Sequence, residues 1–184
     1  MVLKMACPTS QILIQKAQII EEFRGFLREG VQTHRRHLLI NLQDRLSWQE
    51  SARCHAVEHL QSCAEFTQGL VVVSLTKQSS FYHQSGKYVQ GSSYAEFAAS
   101  AYAQFTSEEN SGWFIPVQTK EEGLVSWYRS AFDFIHQMFF ASKEILTRQE
   151  RMDFIGIFYL LLMLKLIEIF EPTSISFTCK DGVS

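Results

Sequence analysis

The sequence predicts an α/β domain, rich in helix, built on a small parallel or mixed sheet of about four strands. Three observations carry that expectation. Short apolar runs at 38–42, 70–75 and 175–178 are bounded by polar residues and turn signals, as strands are. Val71-Val72-Val73 shows no alternation of apolar and polar positions, which fits a strand covered on both faces. Segments of helical period separate these runs, and strands joined by helices imply a parallel or mixed sheet.

Taken in order, Ile12, Ile19, Phe23 and Phe26 recur at helical spacing, so a first helix is expected from Thr9 to about Glu29, with Gly30 as its stop. A basic patch, His34-Arg35-Arg36-His37, precedes the strand Leu38–Leu42 and reads as a solvated face. Ser47 followed three residues later by Glu50 has the form of a reciprocal helix cap, placing a second helix from Trp48 to about Phe66, closed by Gly69. Leu70–Leu75 is the clearest strand. Lys77 to Ser93 is a polar loop carrying Phe81, Tyr82 and Tyr88, which either lines a site or covers the sheet edge. A short helix is expected at Tyr94–Phe105, and Ser107 to Gly123 reads as loop with an edge piece at Trp113-Phe114-Ile115 stopped by Pro116. Helices are expected at Leu124 to Leu146 and Arg148 to Phe170, the second closed by Glu171-Pro172. Ile175–Thr178 then restarts the chain as a strand.

The 184 residues suit one domain over 1–184, without internal repeats. A hydrophobic fraction of 46% argues against disorder, and 17 basic against 19 acidic residues give a net charge of −2, without the basic footprint of a nucleic-acid binder. Four scattered cysteines fit a reducing compartment better than a disulfide scaffold. The N-terminus lacks the basic start and apolar core of a secretory signal. The apolar run Phe154 to Leu164 would cover only about 16 Å as helix, against a bilayer core of about 30 Å. Extension to Phe170 brings in Lys165 and Glu168, three apart and able to pair on a buried soluble helix. No transmembrane span, nucleic-acid partner, metal or cofactor is therefore expected, and oligomeric state is left open. The expected location is cytoplasmic, or secreted as an effector without a cleavable signal.

His55, His59 and Cys63 recur every four residues, a spacing at which two can hold zinc, with His34 or His37 as an outside ligand. The favoured reading instead gives this helix a buried face of Trp48, Ala52, Ala56 and Cys63. No Walker loop, dinucleotide fingerprint, serine-elbow or zinc-protease motif occurs.

The last strand runs into Cys179-Lys180-Asp181-Gly182-Val183-Ser184. This segment resembles the opening of the Cys-x5-Arg phosphate loop of cysteine-dependent phosphatases, closest to the inositol polyphosphate 4-phosphatase-like branch. Ile40-Asn41-Leu42-Gln43-Asp44-Arg45, the stretch Ser47 to Cys54, Phe81-Tyr82-His83-Gln84, Asp153-Phe154-Ile155 and Ser176 to Gly182 are similar to a family of chlamydial proteins without an assigned activity. The phosphatase resemblance implies a thiolate nucleophile at Cys179, attraction of phosphate by Lys180, and close backbone approach at Gly182. The implied ligands are a phosphoinositide or a phosphoprotein. Asp44, just past a strand, is the candidate acid, because α/β folds gather ligands beyond strand C-termini. Pairing with Arg45 or a neighbouring arginine, or a simple loop role, is the ordinary alternative for it.

The sequence departs from the phosphatase pattern in holding neither the loop arginine nor the helix that follows it. Asp181 adds negative charge where phosphate would sit. The expectation is a cysteine-phosphatase-like domain, C-terminally truncated, catalytically inactive as given, and open over part of one sheet face. The alternatives are a structural or protein-interaction protein of an intracellular pathogen, or a metal-dependent protein built on the His55 stripe.

Overall fold

The structure, a computed structural model of the chain, describes residues 1–3, 5, 7–89, 93–106, 112–116 and 123–179. Its strands are β1 (Val2–Leu3), β2 (Thr9–Leu13), β3 (Lys16–Ile19), β4 (His37–Asn41), β5 (Leu70–Leu75), β6 (Trp113–Phe114) and β7 (Ser174–Thr178). The helices are α1 (Glu21–Gln32), α2 (Ser51–Gln61), α3 (Tyr94–Thr106), α4 (Val125–Phe140) and α5 (Arg148–Phe170). A mixed five-stranded sheet runs in the order β1-β7-β4-β5-β6, so the domain is α/β. β1, β7, β4 and β5 are parallel, while β6 pairs antiparallel with Ser74 and Leu75 at the edge.

Every residue of β4 and β5 is buried, as a doubly covered parallel sheet requires. Alternation sorts their side chains between two cores. Leu39, Leu70 and Val72 meet Phe23, Leu27 and Val57 of α1 and α2. Leu38, Ile40, Val71, Val73 and Leu75 face a larger core shared with α3, α4 and α5. Aromatic rings fill that second core: Phe158 lies 5.7 Å from Trp113 and 4.9 Å from Phe132, ring centre to ring centre. Offset and edgewise contacts of this kind add to simple burial.

Several boundaries differ from expectation. Residues 9–19 form an antiparallel hairpin, not the start of a helix, with Thr9 opposite Ile19 and a register shift between Gln11 and Leu13. Gln11 Nε2 donates to the Ile14 carbonyl across its turn, and the hairpin packs on α2. Local pairing thereby satisfies backbone groups in a segment rich in β-branched residues. Ile12 is left exposed, so its helical spacing from Ile19 is coincidental. Helix α1 starts only at Glu21, where Glu21 and Glu22 favour the positive end of the helix dipole. It continues past Gly30 to Gln32.

Ser47 does not cap a helix. Residues 47–50 form turns, the Gln49 amide donates to Ser47 Oγ, and α2 begins at Ser51. The Glu50 carboxylate accepts the Asp44 amide at 2.7 Å instead. The reciprocal cap occurs at Thr147 and Glu150, at the head of α5. Helix α4 stops at Phe140, earlier than the expected Leu146, because Ala141 and Ser142 take left-handed φ values of 49° and 54°. Glu171, at φ 43°, ends α5 just before Pro172. Strand β1, with Val2 opposite Ile175, was not anticipated and brings the sheet to five strands.

The 77–89 loop is tied down. Arg151, 1% exposed, donates to Gln84 Oε1 and to the Leu146 and Tyr88 carbonyls. Arg148 donates to the carbonyls of His83 and Gln84. Phe81 inserts among Phe97, Tyr88 and Trp113, so this loop covers the sheet edge. No helix among the described residues is long and apolar enough to cross a membrane. The Phe154–Leu164 run lies on the sheet, and Lys165 pairs with Glu168 as its spacing predicts.

Candidate functional site at the C-terminal sheet edge

Because β4, β5 and β7 are parallel, all three leave the sheet at the same edge, where α/β folds place ligands. Asn41 stands opposite both Thr178 and Ser74. The Leu42 amide donates to the Thr178 carbonyl at 2.8 Å, so the β4 exit is bonded to the residue immediately before Cys179. Cys179 is half-buried at the end of β7, between β1 and β4.

Asp44 lies on the same edge, two residues past Leu42. Its Oδ1 accepts the Leu46 amide at 3.0 Å, and its own amide donates to Glu50. The side chain thus closes its own turn, and it has no ion pair with Arg45. The β4 and β7 exits place Asp44 and Cys179 at one end of the sheet. Lys180 and Gly182 lie outside the described residues.

A buried polar chain supports this edge. Arg45 Nε donates to Glu58 Oε1 at 2.8 Å, with the two side chains 9% and 7% exposed. Glu58 Oε1 also accepts the Ser74 hydroxyl at 2.6 Å, and Ser74 Oγ accepts from Asn41 Nδ2 at 3.1 Å. Asn41 Oδ1 closes the chain by accepting the Gln43 amide. Arg45 also donates to the Trp113 carbonyl and stacks over Phe114, 5.4 Å from its ring centre. Opposite charge and these bonds offset the cost of burying both ions.

Two thiols lie close to this edge. Cys7 Sγ is 3.4 Å from Thr9 Oγ1 and 3.8 Å from Thr178 Oγ1, and it accepts a long bond from Gln43 Nε2. Gln43 is 1% exposed, and its Oε1 has no hydrogen-bond partner among the described residues. Cys54 is fully buried, and burial pushes its thiol up to about 12 despite the neighbouring Asn41, so it is no nucleophile at neutral pH.

The network Arg45–Glu58–Ser74–Asn41 was missed in the sequence. Its signal was there in part: Asn41 and Ser74 interrupt two apolar strands at positions that turn out to be paired. Glu58 gave none, since a glutamate on a helix ordinarily faces water.

Other expectations change as well. His37 is not part of a solvated basic face. It begins β4, is 3% exposed, and its ring nitrogens lie 2.8 Å from Ser174 Oγ and from Ser176 Oγ. The buried face of α2 is Cys54, Val57, Glu58 and Leu60, while Trp48 is 65% exposed. His55 and His59 are exposed, and no group of three or more metal-ligating side chains occurs among the described residues. Comparison of the chain with family models, with curated proteins and with solved structures finds no match.

Proposed function

We propose that this chain is a phosphatase-related protein that binds a phosphorylated ligand, a phosphoinositide or a phosphoprotein, at the edge where Cys179 leaves β7. The observation that carries the reading is the position of Cys179 at the C-terminal end of an interior parallel strand, beside the exit of β4. That is where a loop of backbone amides holds phosphate in an α/β fold.

The proposed role is binding without efficient turnover. Arginine grips phosphate through two parallel bonds, and Arg45 on this edge is committed to Glu58. The Asp44 carboxylate holds the Leu46 amide, which suits a loop role better than that of an acid delivering a proton. Titration of the 184-residue chain with a soluble inositol polyphosphate tests the reading. Saturable binding, weakened about tenfold by Lys180→Glu, is expected. Lack of binding removes the phosphatase relation, and hydrolysis of an aryl phosphate that Cys179→Ser abolishes replaces binding with catalysis.

A second reading, an interaction protein without catalytic ancestry, is favoured by Phe134, Met138 and Leu164, which are 49%, 67% and 63% exposed on the outer faces of α4 and α5. A stable dimer in solution, dissociated by Leu164→Glu, would support it.

A further inference from the structure

A groove of about 470 Å³ lies between α5 and the sheet, within the range of small-molecule sites. Its floor is Leu42, Leu75 and Phe177, and its helical wall is Met152, Gly156, Leu160 and Met163. Arg148 at the start of α5 bonds the 77–89 loop, and Arg36 donates to the Phe170 carbonyl at its end, so α5 runs antiparallel to the strands. The groove therefore opens at the C-terminal sheet edge and runs inward along the helix. From Asp153 to Met163 is ten residues, about 15 Å of helix.

Gly156 shapes this wall. It sits in the interior of a 23-residue helix, where glycine costs about 0.5–1 kcal/mol against alanine. A Cβ there would meet nothing within 4 Å, so no neighbour in the fold demands the glycine. Its effect is to keep the groove open, and the methionines on either side supply adaptable, polarizable surface.

The mouth is polar and carries both signs of charge. Lys77, Tyr82 and Asp153 line it. Lys77 is exposed and its ammonium has no ion pair among the described residues; Asp153 accepts from Gln149 Nε2, at 2.8 Å. An anionic head alone would meet Asp153, and a cationic head alone would meet Lys77. A head with a phosphate beside a quaternary ammonium satisfies both, the ammonium also finding the face of Tyr82.

We propose that this groove binds a single-chain amphiphile with a phosphocholine-type head, its tail along α5 past Gly156 and its head between Lys77 and Asp153. The proposal stands apart from the reading of Cys179 and requires no chemistry there.

The test titrates dodecylphosphocholine, below its micelle-forming concentration, into the 184-residue chain labelled at its methionine methyl groups. The Met152 and Met163 signals are expected to shift along one saturable curve while that of Met138, exposed on α4, stays in place. Gly156→Leu fills the groove and is expected to weaken binding about tenfold. Because leucine favours helix over glycine, the thermal midpoint of this variant checks that folding is intact. Lys77→Glu, at an exposed position, gives an independent arm and is expected to weaken binding to a similar degree. Dodecanoate, with a carboxylate head and no ammonium, is expected to bind about tenfold more weakly than the phosphocholine. Unmoved Met152 and Met163 signals, affinity unchanged by Gly156→Leu, or dodecanoate binding as tightly as the zwitterion would each overturn the proposal.

Discussion

Acid should weaken this fold through His37, and the size of the effect follows from its surroundings. The imidazole is 3% exposed, with Phe23 and Phe26 rings edge-on at 6.1 and 5.0 Å. Its hydrogen-bond partners are two serine hydroxyls, which suit the neutral ring: one nitrogen donates and the other accepts. Among the described residues no carboxylate bonds it, and burial pulls its pKa from 6.5 down to about 4. Above pH 6.5 the ring is neutral in both folded and unfolded chains and has no pH-dependent effect. As pH falls below 6.5, the unfolded chain takes up a proton that the folded chain refuses until about pH 4. Stability is therefore lost progressively through that window and levels off below it, by about 3 kcal/mol in all.

The assay is urea unfolding of the wild type and of His37→Gln at a series of pH values from 7.5 to 4.5. Glutamine retains a donor and an acceptor for the serines but does not titrate. The wild-type midpoint is expected to fall steeply between pH 6.5 and 4.5, and that of the variant to stay nearly flat apart from carboxylate titration. Parallel pH profiles for the two proteins, or an NMR titration of His37 centred above pH 6, would refute the reasoning.

Two further outcomes are expected. Arg151→Met strips three bonds, two of which hold the 77–89 loop and one the Leu146 carbonyl, and should cost about 2–4 kcal/mol, with amide exchange accelerated first at Gln84 and Tyr88. Thr147→Ala removes half of the reciprocal cap on α5 and should cost about 1 kcal/mol in thermal unfolding. The same cap has a signature in acid: Lys143 and Thr147 hold the Glu150 carboxyl down to about 2, so its contribution is intact above pH 4.5 and fades as pH falls toward 2. Thr147→Ala should flatten that part of the profile.

Elements whose signal is local and strong are legible in the order of residues alone. The run 70–75, apolar except at Ser74, is a buried interior strand with its expected bounds, and the threefold valine run announced that both faces would be covered. Helix Arg148–Phe170 ends where Glu171-Pro172 said it must, and the edge piece before Pro116 is there. The common edge of Cys179 and Asp44 was also legible, because parallel strands all leave a sheet at the same end.

Tertiary contacts decided the rest, for reasons that do not reside in neighbouring residues. Residues 9–19 carry both helical spacing and β-branched content, and pairing across a turn while packing on α2 settles the choice in favour of the hairpin. Ser47 and Glu50 have the form of a helix cap, yet the Asp44 amide captures the carboxylate first. His37 stands in a run of basic residues and reads as surface until β7 sets Ser174 and Ser176 against it. Glu58, Arg45, Ser74 and Asn41 come from three separated segments, and only the assembly of the sheet makes them one buried network. Periodicity reports which face of an element is apolar; which polar group meets which across the core is set by long-range register, and that exists only once the chain has folded.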